Sequence, residues 1–389
     1  MNITIVGGGF GGVKTALKLA KNPKNTITLI SSSTQFQYYP TLYSTATGHS
    51  HKESWVSLRK IFVGKPNVRL VQDTIEKLDS ASKKIYGEDG TAYHYDRLVL
   101  ALGSVTTYFG IEGLDTYAFG IKSEAEIRKL QKHIFDDMSD GREDEKNYVI
   151  IGGGPTGVEL AGALGEYVRV LRGHFGIKKK TLRINLIEAA PRLLPRLSET
   201  TSSAALQQLK KLGVRVETNK KVERQTADSL FVNGKPLSTT TVIWTSGVAN
   251  PSFYKNNEKE FTINERGKVV VDKHMLAAPH VYVIGDNAAT PYAGLAQTAL
   301  HDAQYVAKHI TGKTRAPYKA VLPACVVPIG HRWAVFEWRN IKFSGWLGAL
   351  MLNLSHVIGY TDVFPLGVAL STWRAGSKKE LRIPDEIAS

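Results

Sequence analysis

The sequence predicts an α/β protein with two nested parallel-sheet domains and an amphipathic helical tail, and three observations predict it. The chain opens on a short apolar run, Ile3, Ile5 and Val6, which leads into Gly7-x-Gly9-x-x-Gly12 and then Val13, Ala16, Leu17 and Ala20 at helical spacing. The same order returns at Tyr148-Val-Ile-Ile-Gly152-Gly-Gly154-Pro-Thr-Gly157, followed by Val158, Leu160, Ala161, Leu164 and Val168. Near the other end, Phe343, Trp346, Leu347, Leu350, Met351, Leu354 and Ile358 form one wide apolar stripe. A β-branched strand of this kind is buried on both faces in a parallel sheet. In such Rossmann-like units the first glycine makes the turn and the second admits backbone to a pyrophosphate. The third lets helix and strand pack closely, and the helix N-terminus adds partial positive charge. One glycine turn is a weak signal; two in one chain imply a bound flavin served by a nicotinamide nucleotide.

Composition narrows the class. At 389 residues, 42% hydrophobic and 22% charged, the chain can hold two or three domains. Its single cysteine, Cys325, excludes a disulfide framework, a C-x-x-C redox pair and a thiolate metal cage, so no metal site is expected. A strand already begins at residue 3, which leaves no room for a signal peptide at the start. Fifty basic against 35 acidic side chains give a net charge of +15. With no zinc finger, basic helix or RNA-binding signature, that excess fits an anionic membrane surface and no nucleic acid.

Taken in order, Thr26-Ile-Thr-Leu-Ile30 should pair with the first strand. The acidic residue that commonly follows at about this distance, to hold a ribose, is replaced by Ser31-Ser32-Ser33. A serine hydroxyl can still bond a ribose hydroxyl, so Ser31 is the expected contact. The aromatic, hydroxyl-rich stretch 36–48 is suited to cover a flavin ring. Strand 96–100 ends at Ala101 and Gly103, small residues that permit close approach to a cofactor. Residues 110–113 read as the crossing into the second domain, and 123–138 as a helix carrying Ile127, Leu130 and Ile134.

In the second domain Glu159 is placed in the first turn of the glycine helix. Strand 182–187 ends at Glu188, 36 residues beyond Gly152, with 169–180 read as the extra length. An acidic residue there favours the free 2′-hydroxyl of NADH over the phosphate of NADPH. Trp244-Thr-Ser-Gly247 repeats the strand-to-small-residue pattern of Gly103. His280-Val-Tyr-Val-Ile-Gly285-Asp286 then returns to flavin-like features, with Asp286 expected to accept from a ribityl chain. Gln297 and His301 share one face of the next helix and could cap a quinone's carbonyls. The C-terminal stripe is interrupted by Ser344, Asn353 and His356, so it is not a membrane span. A second apolar segment runs from Thr361 to Arg374. With tryptophans near both ends and Arg374, Lys378 and Lys379 beside it, the tail reads as an interfacial anchor; core packing or a homodimer contact is the alternative.

Together, GGGFGG, FQYYPTLYSTATG, GGGPTGVELAG, WTSGV, VIGDNA, LAQTA and the apolar tail resemble the type II NADH dehydrogenases, single-subunit NADH:quinone oxidoreductases that do not pump protons. The resemblance runs nearly end to end. It implies FAD bound by Gly7, Gly9, Gly12, Ser31, Ala101, Gly103, Gly285, Asp286 and Gln297, and NADH bound by Gly152, Gly154, Gly157, Glu188 and Gly247. It also implies Glu159 as the functional carboxylate and a quinone met by Gln297 and His301. The family's second glutamine is replaced here by His301. The implied organisation is 1–112 and 255–314 for the FAD domain, 113–254 for the NADH domain and 315–389 for membrane association, at the cytoplasmic face of the cell membrane. Sulfide:quinone oxidoreductases and glutathione-reductase-like enzymes need a cysteine pair that one cysteine cannot form. A flavin-binding interaction protein of the apoptosis-inducing-factor kind is the rival from another class.

Overall fold

The computed structural model describes residues 1–139, 146–176, 182–239 and 241–376. Lys378 and Lys379, expected at the basic end, and 177–180 of the expected insertion lie outside the described residues.

Two parallel sheets carry the two glycine motifs. In the first, the strands lie in the order Leu276–Ala278, Val281–Val283, Arg97–Leu100, Asn2–Val6, Thr26–Ser31, Val68–Gln72. All neighbours are parallel except the 276–278 edge strand. Residues 3–6 are buried on both faces, as a central strand of a covered sheet requires. The second sheet is wholly parallel, in the order Val214–Glu217, Leu182–Ile187, Lys146–Ile151, Thr241–Trp244. In each sheet the glycine strand sits where the strand order reverses, the place at which open α/β sheets leave a crevice. Strands 97–100 and 281–283, almost two hundred residues apart, are direct neighbours, so the first sheet is completed only after the second has been made.

The helix Phe10–Leu19 is buried nearly all round, with only Leu17 and Lys18 partly exposed, whereas Glu124–Ser139 buries Ile127, Leu130, Ile134 and Met138 along one face. The second glycine helix is longer than its motif suggests. Pro155–Phe175 runs without a break, so residues 169–175 continue the helix rather than forming a separate insertion. Pro155 is its first residue, which puts Glu159 fifth, just past the first turn rather than within it.

The C-terminal part divides in two. Cys325–Pro328, Ala334–Trp338 and Ile341–Gly345 form an antiparallel sheet, and Val327, Ile329 and Val335 join the core of the second domain. Phe343 therefore belongs to a strand, stacked on Phe336 at 4.7 Å, and not to the helical stripe. Gly345, at φ +91°, ends that strand and starts the helix Trp346–Val363, followed after Pro365 by Leu366–Gly376. Tyr360, Val363 and Phe364 face inward. Trp346, Leu347, Leu350, Leu354 and Ile358 face outward, with Trp346 70% exposed, so this stripe is not used for core packing. His356 turns inward instead of breaking the outer face. Burial pushes it down to about 4, and its Nε2 has no partner among the described residues. Among the described residues, no helix is long and apolar enough to cross a membrane.

Candidate functional site

One cavity of about 700 Å³ runs from the first glycine turn to the start of the second glycine helix. Gly7, Gly9, Ser31, Ala101, Gly103, Gly285 and Asp286 line it from the first domain, and Glu159, Trp244 and Gly247 from the second.

The glycines have separable jobs. Gly7 holds φ +116°, and a side chain there would drive into the carbonyl of Ala101. One at Gly12 would strike the carbonyl of Gly7. These two serve internal packing. A Cβ at Gly9 meets nothing within 4 Å, so the N-cap of the helix is open to a ligand. Open backbone at a helix N-terminus is the donor set a diphosphate needs, and the cradle fits a dinucleotide. The second turn repeats this: Gly152 holds φ +115°, Gly157 abuts the carbonyl of Gly152, and Gly154 is open. Gly247, at φ +87°, lies against Phe109.

The strand ends differ. Ser31 is buried, with its Oγ accepting from the N–H of Ser33 at 3.3 Å. Glu188 accepts from the N–H of Ala190 at 2.6 Å and from the N–H of Gly153, which ties its carboxylate to the second turn.

The stretch after Ser33 is a shared wall. Gln37, Tyr39, Leu42 and Tyr43 line the cavity. Phe36 and Tyr38 point the other way, into Phe10, Tyr360 and Phe364. Alternation along the strand Gln35–Gln37 starts the two faces, and the short helix Leu42–Ala46 brings Leu42 and Tyr43 to the cavity side.

Asp286 is held from several sides. Its Oδ2 accepts from Ser104 Oγ at 2.7 Å, and its carbonyl accepts from Lys268 Nζ at 2.5 Å. Beneath it Asp302, fully buried, accepts from the N–H of Gly285 at 2.9 Å and from the Tyr318 hydroxyl at 2.6 Å. Glu159 faces the cavity, where burial pushes its carboxyl up to about 8. Burial also drives the Tyr43 hydroxyl well up, and the charges of Glu159, Glu53 and Glu166 add to it.

Gln297 and His301 do not line this cavity. Gln297 Nε2 donates to the carbonyl of Ala324 at 3.2 Å, and His301 Nε2 lies 2.9 Å from that of Lys319. Both reach the segment that joins their helix to the C-terminal sheet; Ala296, beside Gln297, does line the cavity.

The sequence reading passed over Lys122 and Asp302. Lys122 lines the cavity with its Nζ 2.8 Å from Ser104 Oγ. A capping box follows it: Ser123 Oγ accepts from the N–H of Glu126 at 3.2 Å, and Glu126 Oε2 accepts from the N–H of Ser123 at 2.8 Å. The S-x-x-E pattern was the available sign that Lys122 is fixed at a helix start. Among the described residues no group of side chains is suited to hold a metal ion, and Cys325 is a free thiol.

The comparisons agree with this geometry. Residues 1–303 match the family model of the pyridine nucleotide-disulphide oxidoreductases. The chain is 30% identical to the type II NADH:quinone oxidoreductase of a Staphylococcus aureus strain, over 94% of this chain and 96% of that protein. It is 29% identical to a Mycobacterium tuberculosis protein of the same name, over 92% of this chain and 84% of that one. Its fold matches the structure of NDH2 from Plasmodium falciparum in complex with NADH, with a TM-score of 0.85 at 19% identity, covering 96% of this chain and 97% of that one. The chain belongs to the type II NADH:quinone oxidoreductases, with FAD as cofactor, NADH as electron donor and a quinone as acceptor.

Proposed function

We propose a division of labour among the cavity's residues. The N-terminus of the first glycine helix, opened by Gly9, takes the FAD diphosphate, with Ser31 at the ribose. Ala101, Gly103, Gly285 and Asp286 border the rest of the cofactor. Residues of the second turn, Gly152, Gly154 and Gly157, take the NADH diphosphate, with Glu188 at its ribose and Gly247 beside the nicotinamide end. Supporting this is the single cavity that touches both the first glycine turn and Thr156 and Glu159 of the second glycine helix. The flavin supplies the hydride and two-electron chemistry itself.

What the chain adds is placement and a proton. Quinone reduction consumes two electrons and two protons. Glu159, protonated below about pH 8 because the cavity wall desolvates it, holds a proton on its carboxyl at neutral pH. Gln297 and His301 sit on the quinone side, where Gln297 is exposed next to cavity-lining Ala296. The organisation follows the sheets: 1–112 with 255–314, and 113–254 inserted between them. The 346–376 helices attach the protein to the bilayer surface at the cytoplasmic face, where NADH is available. Burying the outward apolar side chains there is worth on the order of 10 kcal/mol.

Stopped-flow measurement of the two half-reactions tests the central assignment. Glu159→Gln should slow reoxidation of the reduced enzyme by quinone by about 100-fold, the scale of a lost general acid. Flavin reduction by NADH should change less than threefold. The wild-type quinone step should fall as pH rises through about 8, and that dependence should vanish in the variant. Equal losses in both halves would sink the proton role.

A further inference from the structure

The charges lining the cavity are lopsided. Asp73, Glu76 and Asp286 are acidic, Glu159 is kept protonated by burial at neutral pH, and the only lysine or arginine among the described lining residues is Lys122. Hydride transfer brings two electrons and one proton to a neutral flavin, so the ring gains one negative charge. Asp286, the lining carboxylate that Lys122 reaches through Ser104, opposes that charge.

We propose that Lys122 sets the reduction potential of the bound flavin, as the cation that balances the charge the ring gains on reduction. This rests on FAD occupying the cavity. The side chain is organised beforehand: its Nζ donates to Ser104 Oγ at 2.8 Å, and Ser104 Oγ donates on to Asp286 Oδ2 at 2.7 Å. An ammonium has three donors, so two remain for the cavity beyond this bond. The backbone is fixed as well. The Lys122 N–H donates to Glu126 Oε2 at 2.7 Å, and its carbonyl accepts from Gln37 Nε2 at 2.5 Å, itself a lining residue. A cation already in place at the moment of charge development stabilises it without reorganisation. Burial pushes the amine down to about 8; Asp286 and Glu126 pull it up and Lys268 pulls it down. The group thus remains mainly charged at neutral pH. Ser104 acts through Lys122 and is a positioning residue.

The test is the equilibrium potential of the purified holoenzyme, read by flavin absorbance against a reference dye in wild-type protein, Lys122→Met and Lys122→Arg. At one fixed ambient potential, Lys122→Met should lower the ratio of reduced to oxidised flavin at least tenfold, about 30 mV for a two-electron couple. Its flavin content should stay stoichiometric, and Lys122→Arg should stay within threefold of wild type. Lys122→Gln replaces the methionine variant if that one does not fold. A neutral variant with full flavin and the wild-type potential overturns the proposal. So does a neutral variant that loses FAD while Lys122→Arg keeps it, because the cation would then serve the diphosphate. Wild-type protein that binds no flavin would overturn the cofactor assignment as well, and is told apart by its absorbance alone.

Discussion

The two glycine turns match in backbone but not in what surrounds them. Gly7 and Gly152 adopt the same backbone, at φ +116° and +115°, and each donates its N–H to the end of the neighbouring strand at 2.8 Å. Gly12 and Gly157 each close against the carbonyl of the turn's first glycine, and Gly9 and Gly154 are both open. One turn further on the likeness stops. The fifth residue of the first helix is Lys14, buried and paired with Asp362 of the tail. In the second helix it is Glu159, directed at the cavity. The same scaffold position ties down the tail in one copy and lines the cavity in the other. The turn's backbone is dictated by its close internal packing, whereas the side chain one turn along is free to be used elsewhere.

The largest effect should come from testing the packed against the open glycines. Gly12→Val forces a side chain into the Gly7 carbonyl and should cost more than about 4 kcal/mol, abolishing soluble folded protein. Gly9→Val has room for its side chain and a φ of −89°, so it should fold, with a melting temperature near that of flavin-stripped wild-type protein, yet lack flavin. A Gly9→Val protein with stoichiometric flavin would remove the first turn from the cofactor site.

Next in size is the contrast between Lys14 and Glu159. Asp362→Ala removes the counter-charge of a buried ammonium but leaves its bond to the carbonyl of residue 362, and should cost about 1–3 kcal/mol, a value reduced because Asp362 is itself partly exposed. Glu159→Gln should behave oppositely. The folded carboxyl titrates at about 8 against an ordinary 4.5, so wild-type stability is lost as pH rises between those values. The variant lacks that loss, and its melting temperature should fall less steeply across the same window. Thermal unfolding at several pH values decides; an equal penalty at both positions breaks the contrast.

The smallest effect concerns Ser31 against Glu188. Glu188→Gln removes the charge and keeps one of the two oxygens that accept from Gly153 and Ala190. The preference for NADH over NADPH, measured as the ratio of kcat/KM values, should narrow by about tenfold, roughly 1.4 kcal/mol. Wild-type enzyme that used both nucleotides equally would show that the carboxylate only braces the turn.

Legibility followed distance along the chain. Both glycine turns, their strands and the helix 124–139 were readable because their signals are local: β-branched runs, glycine spacing and periods near 3.6. The pairing of Arg97–Leu100 with Val281–Val283 was not, since no local pattern encodes which distant strands meet. Phe343 was misplaced because an apolar residue three before Trp346 satisfies helical spacing as well as strand alternation; the positive φ of Gly345 is what separates the two. Lys14 with Asp362, Asp302 with Tyr318, and Lys122 with Ser104 are tertiary meetings whose members look like ordinary polar residues in sequence.

The shared wall formed by residues 36–43 has a consequence for anyone who wants this enzyme in water. Tyr38 stacks on Tyr360 at 4.3 Å, and its neighbours Gln37 and Tyr39 are the cavity's own lining. Cutting the tail away would therefore peel one side off the partition and leave its other side unsupported. A detergent-free version has to be made by repainting, with Trp346, Leu350, Ile358 and Leu366 exchanged for polar residues while Tyr360, Val363 and Phe364 stay. The cavity wall leans on the inner face of the tail, so only the tail's outer face can be redecorated.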